Sequence, residues 1–125
     1  MSNYSYSTEE IASEHTAKAV GLSLPISKKT SVEICAFIRH KKLERAKQML
    51  KDVLAKKIAV PYRRYNRDVG HKPGIGPGRY PEKACREILK VLESVESNAQ
   101  FKGLNTSNLV IKNIIANNSS RPFHY

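Results

Sequence analysis

A chain of 125 residues has room for one hydrophobic core and not for two, and its 40% hydrophobic and 26% charged residues are globular values that exclude a disordered tail. Its 22 Lys and Arg against 11 Asp and Glu leave a net charge of +11, and such a field steers a molecule towards polyanions. No stretch approaches the ~18 consecutive apolar residues of a membrane span, so nucleic acid is a better partner than membrane.

Residues 1–15 are polar and read as an extended N-terminal arm. The start, Met1-Ser-Asn-Tyr-Ser-Tyr-Ser-Thr-Glu-Glu10, lacks the basic flank and apolar run of a secretory signal, which predicts a cytoplasmic chain. Between Thr16 and Ile26, Lys18, Val20, Leu22 and Leu24 share one parity, the alternation of a strand that Pro25 would end or place at a sheet edge. Thr30-x-x-Glu33 then has the spacing of a capping box ahead of an apolar run. A helix is predicted from there to about His40, with Val32, Ile34, Cys35, Phe37 and Ile38 on its apolar face. Arg39, His40, Lys41 and Lys42 cluster at its end, where cations suit the helix dipole. Lys28 and Lys29 stand at the opposite end, where the dipole opposes them, and a phosphate partner explains them better. A second helix is predicted from Leu43 to Lys57, with Leu43, Ala46, Met49, Leu50, Val53 and Leu54 at helical spacing.

The stretch from Lys56 to Arg86 carries +7 of the chain's +11: Lys56, Lys57, Arg63, Arg64, Arg67, Lys72, Arg79, Lys83 and Arg86 against Asp68 and Glu82. Tyr62, Tyr65 and Tyr80 are interleaved with the arginines. Guanidinium forks bind phosphate bidentately and tyrosine rings stack on bases, so this composition suits RNA above other polyanions. Prolines and glycines from Pro61 to Pro81 forbid a helix and disfavour a long strand, which predicts a long basic loop over residues 56–80. Such a loop cannot bury enough apolar surface to order itself, and is expected to take its order from RNA. A solvated basic linker is the bland alternative.

Beyond it, Pro81 suits the first turn of a third helix, Ala84, Cys85, Ile88, Leu92, Val95 and Ala99 form its buried stripe, and Gly103 is its C-terminal breaker. Leu109 to Ala116 is the best strand candidate in the chain, with Asn117 to Ser120 as a turn and Arg121 to Tyr125 as a tail. The predicted order is strand, helix, helix, basic loop, helix, strand. That is an α+β arrangement, and a third strand is missing after Asn117.

Gly74-Ile-Gly-Pro-Gly78 lacks the preceding strand and the spacing of a dinucleotide fingerprint, and also the Gly-Lys-Ser/Thr of a P-loop. No local signature of paired carboxylates, a Ser/His/Asp set or a Cys/His nucleophile is present, so no enzyme, cofactor or small-molecule substrate is implied. Cys35 and Cys85 lie on apolar helix faces without metal spacing, as small buried hydrophobes, and His71 has no partner for a metal site.

Several spaced motifs occur together: Ile26-Ser-Lys-Lys29, Asp52-Val-Leu-Ala-Lys-Lys57, Val60-Pro-Tyr-Arg-Arg-Tyr-Asn-Arg-Asp-Val-Gly-His71, Gly78-Arg-Tyr-Pro-Glu-Lys-Ala84 and Glu96-Ser-Asn-Ala-Gln-Phe-Lys-Gly-Leu104. From Thr16 to Ala116 they resemble the ribosomal protein L twenty-two family of the large subunit, in its archaeal and eukaryotic form. The resemblance implies three helices on a three-stranded antiparallel sheet, bound to large-subunit rRNA near the polypeptide exit tunnel beside neighbouring ribosomal proteins. It implies a globular domain over 16–116 and, after Ala116, a hairpin arm of about twenty residues or more with a returning strand. Residues 117–125 would be only the stub of that arm, leaving the edge of Leu109 to Ala116 unpaired or masked by a partner. The family's RNA-facing positions fall on Lys28, Lys29, Arg63, Arg64, Asn66, Arg67, His71, Lys72, Arg79, Tyr80 and Lys83. Composition adds His40, Lys41, Lys56, Lys57, Tyr62, Tyr65 and Arg86, with Arg121 and His124 in the tail. The function expected is structural RNA binding; a free-standing nucleic-acid-binding regulator is the alternative.

Overall fold

Ser27, and not Thr30, opens the first helix. The computed structural model describes residues 16–22 and 24–117, and in it Ser27 has extended backbone while its hydroxyl accepts from the Thr30 N–H at 3.5 Å. Helix α1 runs Lys28–Ile38. With the cap at Ser27 the capping box disappears, because Glu33 lies too far into the helix to reach back to it. Arg39 closes the helix by donating to the Cys35 carbonyl, and His40 then turns the chain at a φ of 66°. Helix α2, Leu43–Leu54, follows at once. It stops short of the expected Lys57 because Lys56 adopts a left-handed φ of 60° and donates to the Val53 carbonyl.

The expected basic loop carries the whole sheet. Strand β1 is Val60–Pro61, β2 is His71–Lys72 and β3 is Gly76–Arg79, antiparallel in the order β1-β3-β2. Val60 pairs with Arg79 and Pro61 with Gly78, while His71 pairs with Pro77 and Lys72 with Gly76. Pro61 lacks a donor and sits on an edge strand, where one is not needed. Gly74 and Gly76, at φ of 82° and 74°, make the tight reversal between β2 and β3.

Helix α3 spans Glu82–Phe101 from a cap at Pro81. It ends in a Schellman closure: Leu104 donates to the Ala99 carbonyl at 3.0 Å and Gly103, at φ 79°, to that of Gln100 at 2.9 Å. A short 3₁₀ turn, Thr106–Asn108, follows.

Two expected strands do not form. Residues 16–22 carry no strand assignment; the Asn98 amide and the Lys102 ammonium, both on or beside the end of α3, donate to the carbonyls of Lys18 and Thr16. Leu109 to Ala116 reduces to a single bridge, Val110 with Lys42. Its apolar content is used nonetheless, since Leu109, Ile111 and Ile114 pack against the core. Among the described residues it has no partner strand: its hydrogen bonds go to the α1–α2 connector, with His40 donating to the Ile111 carbonyl, Ile111 to that of Lys41 and Leu43 to that of Leu109. The α+β class stands, but the element order is helix, helix, three strands, helix. Residues 118–125, with the expected turn and tail, lie outside the described residues.

The helical stripes follow the predicted spacing, except that Val32 of α1 is only half-buried and stands outside the core. Ile34, Ile38, Leu43, Ala46, Leu50, Val53, Cys85, Ile88 and Leu92 form one cluster, to which β1 adds Val60 and its successor Tyr62. Cys35 and Cys85 are free and buried, and loss of hydration pushes their thiols up to about 11 and about 12.

Removing most of the fully buried Leu50 side chain by Leu50→Ala should cost about 2–5 kcal/mol, measured by urea unfolding. The thiols give a pH test. Their folded values lie above the ordinary thiol range near 8.5, so the neutral form favours the folded state, and that contribution is complete below the unfolded value and lost as pH rises through the folded ones. Between about pH 8 and 10.5 the urea midpoint should therefore fall more steeply for the parent than for a Cys35→Ala/Cys85→Ala variant.

Candidate nucleic-acid interface

One face of α1 holds the basic segment in place. Residues 29 and 33 are four apart and share a face, turned away from the stripe of Ile34, Cys35 and Ile38 that meets the core. Glu33 is only 3% exposed. One of its carboxylate oxygens accepts from the Arg63 N–H at 2.5 Å, and the other from the Arg64 N–H at 3.2 Å. Charge-assisted hydrogen bonds to both oxygens offset the cost of burying the carboxylate. One turn earlier on the helix, the Lys29 ammonium lies 5.7 Å from the centre of the Tyr65 ring. Helix α1 thus grips the bend at residues 63–65 twice.

With their main chain fixed from below, Arg63 and Arg64 have exposed side chains, as does Arg67. None of the three makes an ion pair among the described residues. Asn66 and His71 are also exposed along the loop to β2, and Asp68 turns that loop at a φ of 57°. On the sheet, the Lys72 ammonium sits 5.7 Å from the Tyr80 ring centre and the Arg79 guanidinium 5.7 Å from that of Tyr62. Gly78 allows the layers to close: a Cβ there would meet the Ile75 Cδ1 at 2.8 Å, the Lys72 Cγ at 3.2 Å and the Val60 carbonyl oxygen at 3.3 Å.

Tyr62 was expected at the RNA surface and is instead a core residue, 4% exposed. It directly follows β1, its N–H donates to the Pro77 carbonyl at 2.9 Å, and it joins the cluster around Leu50 and Ile88. Burial leaves its ring as a platform for Arg79 rather than for a base. Tyr65 and Tyr80 are half-buried.

The remaining described candidates spread over four other places. Lys28 is exposed at the start of α1, and Lys83 and Arg86 on the first turns of α3, where Arg86 pairs with Glu82 at 3.7 Å. Lys56 and Lys57 are exposed in the turn after α2. His40 and Lys41 are exposed beyond the far end of α1, a helix of 11 residues and so about 16 Å long, and are not part of the sheet surface. Arg121 and His124 lie outside the described residues. A hollow of about 300 Å³ separates the starts of α1 and α3, lined by Pro25, Ile26, Ser27, Thr30, Pro81, Glu82, Lys83 and Ala84. Among the described residues no group of three or more His, Cys, Asp or Glu could hold a metal ion, and no helix is long and apolar enough to cross a membrane.

Sequence reasoning missed Glu33 as an anchor because it gave the residue a capping task. A helix cap placed at Ser27 leaves Glu33 unemployed in the middle of a helix, and that idle acid is the signal.

The family described as ribosomal protein L22p/L17e matches residues 19–122. The chain is 48% identical over 117 residues to the large ribosomal subunit protein uL22 of Thermoplasma volcanium, covering 94% of this chain and 76% of that protein. To the uL22 of Methanopyrus kandleri it is 49% identical, covering 91% and 74%. With that of Thermoplasma acidophilum it shares 52% identity, over 86% and 71%.

The two tyrosines flanking the arginine pair should separate cleanly on mutation. Tyr62→Ala is expected to lower stability by about 3–5 kcal/mol, as for other buried aromatics, and Tyr65→Ala by less than about 1 kcal/mol. Thermal and urea unfolding of the two variants check this.

Proposed function

The chain belongs to the ribosomal protein L22p/L17e family, and on that premise we propose that its basic sheet and the bend beside it hold large-subunit rRNA near the polypeptide exit tunnel. The protein is a structural, non-enzymatic constituent of the large ribosomal subunit, in the cytoplasm. The observation that carries the RNA reading is the bend at Arg63 and Arg64. Two arginines are presented on a main chain fixed from within, without a counter-ion among the described residues, beside Lys29, Lys72 and Arg79, each of which lies over a tyrosine ring. Unneutralised guanidinium groups on an ordered frame suit phosphate, and half-buried Tyr65 and Tyr80 are placed at the edge of the same surface. Neighbouring ribosomal proteins are the second class of partner, and no small-molecule substrate belongs to this reading. Co-sedimentation with large subunits at moderate salt separates it from a free-standing regulator.

Replacing Arg63, Arg64 and Arg67 together by alanine should weaken binding to an rRNA fragment while moving the thermal midpoint little, since exposed charges contribute little to folding. If the parent neutralises roughly 6 to 10 phosphates, its affinity should fall by about 10³ to 10⁵ between 50 and 200 mM salt, with duplex-DNA slopes as the guide. The triple variant should show a log–log salt slope smaller by about three. A flat salt titration of the parent, or an unfolded triple variant, would overturn the reading.

A further inference from the structure

Among the described residues Glu33 is the only buried charged side chain. Both of its oxygens are taken up by main-chain N–H groups of consecutive arginines, and it forms no ion pair with a guanidinium or ammonium. Two successive N–H groups aimed at one anion are the arrangement by which protein main chain commonly seats phosphate. Here the protein fills the seat itself. The bond directions at Arg63 and Arg64 are thereby set before any RNA arrives, and both side chains leave the bend on its solvent side.

We propose that Glu33 is a positioning residue for RNA: a buried acid that raises the affinity of this basic surface for a polyanion by holding Arg63 and Arg64 in their binding arrangement. The inference rests on the RNA-binding reading given above. Its sign sets it apart from simple electrostatics. By Coulomb's law alone, removing a negative charge beneath a cationic surface raises the local potential and tightens binding to RNA. By positioning, the same removal frees two residues whose ordering must then be met on binding, and binding weakens.

The geometry also says why an amide cannot replace the acid. A glutamine at this position offers one carbonyl oxygen, which can accept from one of the two N–H groups, and turns an NH₂ donor towards the other. One main-chain donor is left facing a donor in a buried place, and the bend is released on that side.

The test uses the full chain and an rRNA fragment that the parent binds, with Glu33→Gln, Arg63→Ala/Arg64→Ala and the combination of all three. Glu33→Gln is expected to bind about tenfold more weakly than the parent at equal salt, on the ordering argument. In the background lacking both arginines the same substitution should change affinity less than about twofold, because what it positions is gone. Hydrogen exchange supplies a readout that a general loss of stability would not give: the Arg63 and Arg64 amides should lose protection in Glu33→Gln while amides of α2 and α3 keep theirs. Glu33→Asp keeps the charge one methylene short, serves if the glutamine variant does not fold, and should bind between parent and Glu33→Gln. Unchanged or tighter RNA binding by Glu33→Gln or by Glu33→Asp overturns the inference, and so does a loss that adds fully to that of the arginine pair. If Arg63→Ala/Arg64→Ala weakens binding and Glu33→Gln does not, the inference alone falls. If the arginine pair can be removed without effect, the RNA-binding reading of this bend falls and takes the inference with it.

Discussion

A buried carboxylate, beside two core side chains, joins the apolar half of this molecule to its basic half. Strands of two, two and four residues, rich in glycine and proline, make a sheet that has little stability of its own. Its position comes from the places where it is tied to the helices, namely Val60 and Tyr62 in the core and the two N–H groups that follow, bound to Glu33. From Tyr62 the constraint passes across the sheet, because the Tyr62 N–H is bonded to Pro77 in β3 and β3 pairs with β2 on its far side. The central strand is thus held by what happens one residue beyond an edge strand, and α1 governs a sheet with which it shares no ladder.

The charge of the sheet region raises the question of how so many cations coexist on so little structure. Part of the answer is that each aromatic ring in the region carries a cation on its face, Lys29 on Tyr65, Lys72 on Tyr80 and Arg79 on Tyr62, so positive charge is spread over rings as well as left to water. The other part is that acids are used sparingly. The ion pairs among the described residues, Lys47 with Glu96, Arg86 with Glu82 and Lys90 with Glu87, lie on the helices, and the bend at Arg63 receives only a buried acid that leaves the guanidinium groups untouched. Charge available to a ligand and charge used for folding are kept apart along the chain.

Helical spacing made most of the core legible: Leu43, Ala46, Leu50 and Val53 on α2, and Ala84, Cys85, Ile88, Leu92 and Ala99 on α3, are buried where periodicity puts them. The sheet was not legible, and for a physical reason. A strand of two residues has no period, and its glycines and prolines are chosen for turns and close approach rather than for β propensity, so the same letters that argue for a loop also build Gly76–Arg79. The opposite error occurred at Leu109 to Ala116, where β-branched content was right for an extended segment but could not say whether a partner strand exists. Of the candidate site, the cations were readable from composition. That Tyr62 points inward and Tyr65 is only half-buried was not, because their surroundings are set by contacts with residues some thirty positions away. The family match, by contrast, follows from spaced motifs that survive any error in assigning their secondary structure.

The clasp between the α1–α2 connector and the segment after the 3₁₀ turn has a mechanical meaning. Residues 109–114 are fastened to residues 39–43 by three main-chain hydrogen bonds and by the Arg39 guanidinium, which donates to the Ile114 carbonyl at 2.9 Å. Tension applied to the chain beyond this point is therefore delivered first to the connector, at the end of α1 remote from Lys29. The bonds there would be loaded before any strain reached the bend at Arg63. The clasp thus ties the segment after the 3₁₀ turn to the end of α1 opposite Lys29, so that a pull on residues 109–114 meets the connector before the bend at Arg63.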